Sequence, residues 1–237
     1  MFVIADHRIS TEAISTLKKY GFETIPLPPA EYLSGAVASH TDMLIFMGFG
    51  RLFCHRKYYM CNPAILDRIA SLSRLELTVS DESTGEKYPL DVLFNACLIG
   101  NRLICNPKTV SKLILEAARG SDCEIISAPQ GYTKCSVTVV SDNAIITADK
   151  AIAAACRGAG IDVLTVTEGH ISLPPYDFGF IGGASGACRD KVYFCGSLDS
   201  HPDGERIREF CEKHNKSAIS LTSGELQDVG SLFFIGE

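Results

Sequence analysis

LQDVGSLFFIGE, residues 226–237, opens like the first strand of a motif that recurs along this 237-residue chain, and then nothing follows it. The motif is a polar residue, an apolar run, a Gly/Asn turn, a second apolar run, an amphipathic helical stretch and a third apolar run. HTDMLIFMGFGRLFCH (40–55) with NPAILDRIASLS and LELTV is one copy. PLDVLFNACLIGNRLICNPKTVSKLILEAARG (89–120) with CEIISA is a second, and TKCSVTVVSDNAIITADKAIAAACRGAG (133–160) with IDVLTV a third. YDFGFIGGASGACRDKVYFCGSLDSHPDGERIREFCEKHN (176–215) with SAISL is a fourth. The missing half of the fifth stands at the other end, where MFVIADHRISTEAISTLKKYG and FETIPL supply strand, helix and strand in the right order.

With Asp42, Asp91, Cys135, Phe178 and Asp228 as equivalent positions, the spacings are 49, 44, 43 and 50, and the step from Asp228 through the termini to Asp42 is 51. The period survives circular closure. A lone strand at one end exposes an unpaired edge, and Phe2 to Ala5 is its obvious partner. The pattern therefore predicts five β-β-α-β modules around an axis, closed by pairing of the N- and C-terminal strands. Their bounds are roughly 40–87, 88–130, 131–173, 174–225, and 226–237 with 1–39. No module buries both its faces alone, so the expectation is one domain over 1–237. Asn62-Pro63 and Asn106-Pro107 are expected helix starts, and Gly21, Gly120 and Gly158 or Gly160 expected helix ends.

Composition narrows the function. Net charge is −6, so a phosphate backbone meets repulsion and nucleic acid is excluded as a partner. No apolar run approaches the roughly 20 residues a bilayer crossing needs, and MFVIADHRIS lacks the basic start of a signal peptide, which places the chain in the cytoplasm. Most of the ten cysteines lie inside apolar runs such as FNACLIG and VYFCG and are expected to be reduced core residues. No CxxC pair or zinc spacing occurs, so no metal is expected, and no cofactor is called for. GFIGGASG (179–186) does not fit G-x-G-x-x-G and precedes a strand, so its glycines are read as allowing close backbone approach, between inner strands or over a ligand.

HTDMLIFMGFGRLFCH resembles the Asp-bearing first strand pair of arginine-deiminase-like enzymes, DVLFNACLIGNRLIC the second, and DNAIITADKAIAAA with GIDVLTV a module of the ribosome anti-association factor. Together with the closed period these strings are similar to the pentein superfamily, the α/β propeller with five-fold pseudosymmetry. QGYTKCS and GFIGGASG resemble a bacterial pentein-like family without assigned function. The resemblance implies acidic residues on the first two modules, matched by Asp42 and Asp91, that grip a guanidinium. It also implies a His on the third module and a Cys on the fifth. TKCS has no such His and LQDVGSLFFIGE no Cys, so neither catalytic residue carries over.

In such a ring the first residues of the inner strands meet at the axis. Asp42, Asp91, Cys135 and Asp228, with Lys134 and Gln227, would share a small space, and Asp177 stands beside the position where Phe178 interrupts the acids. Converging carboxylates attract a guanidinium, amidinium or ammonium ligand, or keep Lys134 as an internal counter-ion in a salt-bridge plug. Cys135 stands next to Lys134, a cation that favours thiolate; it is also read as a core thiol. His170, in the loop ahead of the fourth module, and His40, two residues before Asp42, are the histidines placed to act as base, or to be merely structural. The loops EYLSGAVASHTD and TVSDESTGEKYPLD, with Glu31, Tyr32, Asp81, Glu82 and Lys87, are lids or solvated decoration. The expectation is a thiol-dependent hydrolase or transferase acting on a small guanidino or amidino cation. The alternative is a non-catalytic binding module using the propeller as a scaffold.

Overall fold

The computed structural model describes residues 1–236, and among these fifteen strands form five three-stranded sheets. β1 (Phe2–Asp6) and β2 (Glu23–Leu27) start the chain. Then come β3 (Ile45–Gly48), β4 (Arg51–His55) and β5 (Glu76–Ser80), followed by β6 (Cys97–Ile99), β7 (Arg102–Cys105) and β8 (Glu124–Ser127). β9 (Val137–Ser141), β10 (Ala144–Thr147) and β11 (Asp162–Thr165) form the next sheet, and β12 (Ser185–Cys188), β13 (Lys191–Phe194) and β14 (Ser217–Ser220) the last complete in sequence. In each, the first two strands are antiparallel and the last two parallel, because a short turn joins the former and a helical crossover the latter.

β15 (Phe233–Ile235) pairs antiparallel with β1, in the register Phe2↔Ile235, Val3↔Phe234, Ile4↔Phe233. The first and last strands thus build one sheet of the same plan as the others, as the period requires. The first strands also approach one another across sheets, β9 lying against β12 and β6, and β12 against β15.

Local chemistry sets the crossovers. Ser10 caps the helix Thr11–Lys19 by accepting from the Ala13 amide, and Lys18 and Lys19 close it where the helix dipole favours cations. Asp149 caps Lys150–Gly158 through the amides of Ala151 and Ile152. Asn62-Pro63 opens the helix Pro63–Ser73 as expected. Asn106-Pro107 does not open one: Asn106 Oδ1 accepts from the Lys108 amide in a turn, and the helix Lys112–Gly120 starts five residues later, capped by Ser111. At its other end Gly120 is still helical, and Asp122 takes the left-handed conformation.

Nine of the ten cysteines are buried, none forms a disulfide among the described residues, and Cys61 is exposed. Among the described residues no helix is long and apolar enough to cross a membrane, and no group of three or more His, Cys, Asp and Glu side chains is placed to hold a metal ion.

Candidate functional site

Asp42 and Cys135 do not begin strands. Each sits in a one-turn helix just ahead of a first strand, Thr41–Leu44 before β3 and Thr133–Ser136 before β9. Asn95, Cys135, Gly183 and Ser231 each stand two residues ahead of the first strand of their sheet, so the structural equivalent of Cys135 in the second module is Asn95, not Asp91.

Asn95, 1% exposed, ties three modules together. Its Oδ1 accepts from the amides of Lys134 (2.7 Å) and Cys135 (3.3 Å), and its Nδ2 donates to the Asp42 carbonyl (3.1 Å) and Cys135 Sγ (2.9 Å). Ser231 does the same from the fifth module. Its hydroxyl donates to Asp42 Oδ2 at 2.6 Å and accepts from Lys134 Nζ at 2.9 Å. Lys134 therefore reaches Asp42 through Ser231, an indirect form of the counter-ion that the sequence suggested. Asp42 Oδ1 is buried without a hydrogen-bond partner.

Asp228, on the same hub, accepts from the Phe180 amide at 2.9 Å and the Gly230 amide at 3.0 Å. Burial pushes its carboxyl up, as does Asp42, against the opposing pull of His40 and the two amides. His40 is fully buried between two carboxylates: Nδ1 lies 3.7 Å from Asp228 Oδ1 and Nε2 3.8 Å from Asp6 Oδ2, neither close enough for a hydrogen bond. Burial alone would raise Asp6, but hydrogen bonds from the Arg8 guanidinium and amide hold it below the usual range. Arg8 also donates to the carbonyls of Gly35 and Ala36, so the hub already contains one guanidinium of the protein's own.

The fourth module contributes backbone instead of a carboxylate. A Cβ on its Gly183 would sit 2.0 Å from Asp228 Oδ1, and in the fifth module one on Gly230, whose φ is +68°, 2.2 Å from His40 Cβ. The glycines thus let main chain close over the acids, and within 179–186 the close backbone approach expected from the sequence is seen at Gly183 and Gly186.

Cys135 is 3% exposed, and burial, then Asp42, then Asp228, push its thiol well above the ordinary range. The lysine next to it in sequence points to Ser231 and the Val137 carbonyl, not to the sulfur. At rest Cys135 is therefore a protonated thiol.

Four expected members lie elsewhere. His170 is exposed and packs edge-on against His201, with ring centroids 5.5 Å apart, so it is not brought to Cys135. Asp177 is exposed in the loop before β12, since Pro174, Pro175 and Tyr176 carry it to the surface. Asp91 is buried beside the hub, not within it: Tyr132 donates to its Oδ2 at 2.6 Å, Oδ1 has no partner, and burial raises its carboxyl. Gln227 is exposed as well. Asn95, Ser231, Asp6 and Arg8 were not singled out from sequence. Their only sequence signal is place, two residues ahead of a first strand for Asn95 and Ser231, and the end of β1 for Asp6.

Three hollows surround this hub or lie near it. One of about 390 Å³ is bordered by Asp6, Arg8, Asp228, Glu225 and Gln227. Another, about 240 Å³, is lined by residues of the first strands of all five sheets together with Lys134. The largest, about 1050 Å³, is flanked by the two long loops through Glu31, Tyr32, Asp81 and Glu82, and the exposed Cys61 opens onto it. Both loops are anchored: in the first, Arg8 donates to the Gly35 and Ala36 carbonyls, and in the second, Arg56 pairs with Asp81 and Glu82 accepts from Ser111 and the Lys112 amide.

The same architecture recurs in solved structures. Dimethylarginine dimethylaminohydrolase from Pseudomonas aeruginosa, a cysteine-to-serine mutant complexed with citrulline, superposes with a TM-score of 0.59 at 8% identity, over 92% of this chain and 91% of that one. C. jejuni agmatine deiminase with substrate bound gives 0.55 at 10% identity, covering 100% and 93%. An amidinotransferase from Microseira wollei, of the saxitoxin biosynthetic pathway, gives 0.58 at 10% identity, covering 94% and 78%. At such identities the likeness shows the fold alone, which this chain shares with those three enzymes. No curated protein matches the sequence. A family model covers residues 4–233, and by that match the chain belongs to DUF6873, a family of unknown function.

Proposed function

We propose that the five sheets close into a single-domain α/β propeller and that its hub binds a small guanidino or amidino cation. The observation that carries this reading is Asp42: a fully buried carboxylate with one oxygen unpartnered and no direct ion pair among the described residues. A buried carboxylate oxygen without a donor is costly, and a planar guanidinium supplies several donors and a charge at once. Burial raises the carboxyl of Asp228 beside it, and a cation would favour its charged form. The hollow bordered by Asp6, Arg8 and Asp228 is the natural approach. Proteins of this fold named for guanidino chemistry, among them the citrulline complex and the substrate-bound agmatine deiminase, favour the ligand class.

A second reading adds chemistry at Cys135, favoured by Asn95 Nδ2 donating to its sulfur and by the two carboxylates that would hold a cation against it. The bound cation offsets Asp42 and Asp228 and so lowers the thiol. Asp228 is the hub carboxylate that would take up the thiol's proton and return it to the departing amine, with His40 packed beside it. Thiolate attack forms a C–S bond at the amidine carbon, an amine leaves with a proton, and water then cleaves the C–S bond to return the thiol.

Titration calorimetry and thermal shift with arginine, agmatine and small amidines test both. Binding predicts a saturable rise in melting temperature that Asp42→Asn removes; no saturable ligand refutes the hub reading. Release of amine that survives in Cys135→Ser would eliminate the thiol chemistry while leaving binding intact.

A further inference from the structure

We propose that the hairpin end of the axis is a second ligand site, for a small carboxylate with an apolar body. The hollow there, about 240 Å³, receives residues from the first strand of every sheet, among them Met47, Leu98, Val139, Ala187 and Phe233, and its only ionic group is Lys134. Alternation along these strands turns apolar side chains toward the hollow where solvent would normally select polar ones.

Lys134 decides the ligand's charge. Its ammonium has three donors. One goes to Ser231 Oγ at 2.9 Å, a second makes a long contact of 3.4 Å to the Val137 carbonyl, and Nζ lies 5.8 Å from the Phe233 ring centroid. Among the described residues no carboxylate pairs with it directly. A half-buried ammonium with apolar walls and a spare donor complements one negative charge, and a carboxylate accepts through both oxygens. Nothing else in the lining would neutralise a second charge, which disfavours a phosphate monoester. The volume lies below the roughly 300 Å³ at which drug-sized pockets begin, so the body is short. Ser231 separates this site from Asp42, so its ligand and its failure are independent of the hub reading.

Calorimetric titration at fixed ionic strength with butyrate, hexanoate and phenylacetate, against hexanol and hexylamine, tests this. Hexanoate and phenylacetate are expected to saturate and the alcohol and amine not to. Lys134→Gln should weaken carboxylate binding by about tenfold or more, since a charge-assisted hydrogen bond is lost. Ala187→Leu, which fills the hollow and leaves the ammonium in place, should abolish it without altering the response to guanidines. Absence of saturable carboxylate binding, equal binding of hexanol, or binding unchanged in Ala187→Leu would overturn the proposal, the last even if Lys134→Gln fails to fold.

Discussion

Replacing Asn95 with alanine should cost more stability than any other polar truncation at the hub. The side chain satisfies two backbone groups that have few alternatives: the Lys134 amide, bonded at 2.7 Å, and the Asp42 carbonyl, bonded at 3.1 Å. It also donates to Cys135 Sγ, and it is 1% exposed, so water cannot replace it without rearrangement. Each orphaned buried group costs about 1–3 kcal/mol, and the lost volume adds to that, giving roughly 3–5 kcal/mol in all. For a chain of this length each kcal/mol lowers the melting temperature by roughly 2–4 °C, so a fall of roughly 6–20 °C is expected. Urea unfolding followed by circular dichroism measures the free energy, and an unchanged slope would confirm that the native state alone was affected. Asn95→Asp keeps the acceptor and should recover part of the loss. A cost below about 1 kcal/mol for Asn95→Ala, with the slope intact, would mean that Asn95 does not bridge the modules.

Alkylation of the native protein with iodoacetamide, read by peptide mass spectrometry, should modify Cys61 first and leave Cys135 untouched until denaturant is added, because Cys61 is the exposed thiol and Cys135 is buried and protonated; Cys135 labelling as fast as Cys61 would contradict that. Burial would raise Asp203, but hydrogen bonds from the Thr167 amide and Arg206 bring it down to about 2. The stability it adds is present above its unfolded value near 3.9 and is lost as pH falls through about 2, so Asp203→Asn should remove roughly 1–2 kcal/mol at pH 7 and flatten the profile between pH 4 and 2. An Asp203→Asn curve parallel to that of wild type would show that the carboxyl is not depressed. Gly230→Ala places a methyl 2.2 Å from His40 Cβ at a φ of +68°, and should destabilise by at least about 1–3 kcal/mol in the same unfolding assay; a neutral result would mean that the two segments are not in contact.

The repeat is legible because each module writes the same apolar–turn–apolar–helix phrase, and the pairing of the N- and C-terminal strands, though not its register, follows from counting across the termini. Hub membership was only half legible. Asp42, Cys135, Asp228, His40 and Lys134 come together, but aligning by acidic residues put Asp91 where Asn95 stands, since an asparagine inside FNACLIG reads as a turn residue. Ser231 and the Asp6–Arg8 pair were invisible for a different reason: their partners lie 189 residues away in one case and only two in the other, and neither separation leaves a periodic trace. His170 and Asp177 were placed by proximity to a module boundary, where loop length leaves side-chain direction undetermined.

Because β1 and β15 are neighbours through hydrogen bonds, and not merely ends that happen to lie close, the covalent break between them is interchangeable with one in a loop between two other sheets. A circular permutant that links the present ends and is opened in the exposed stretch 86–90 would retain every ladder, while turning the most distant strand pair in the chain into a local one. Its folding should quicken, since the β1–β15 pairing, which now joins segments more than 200 residues apart, would become a step between adjacent segments.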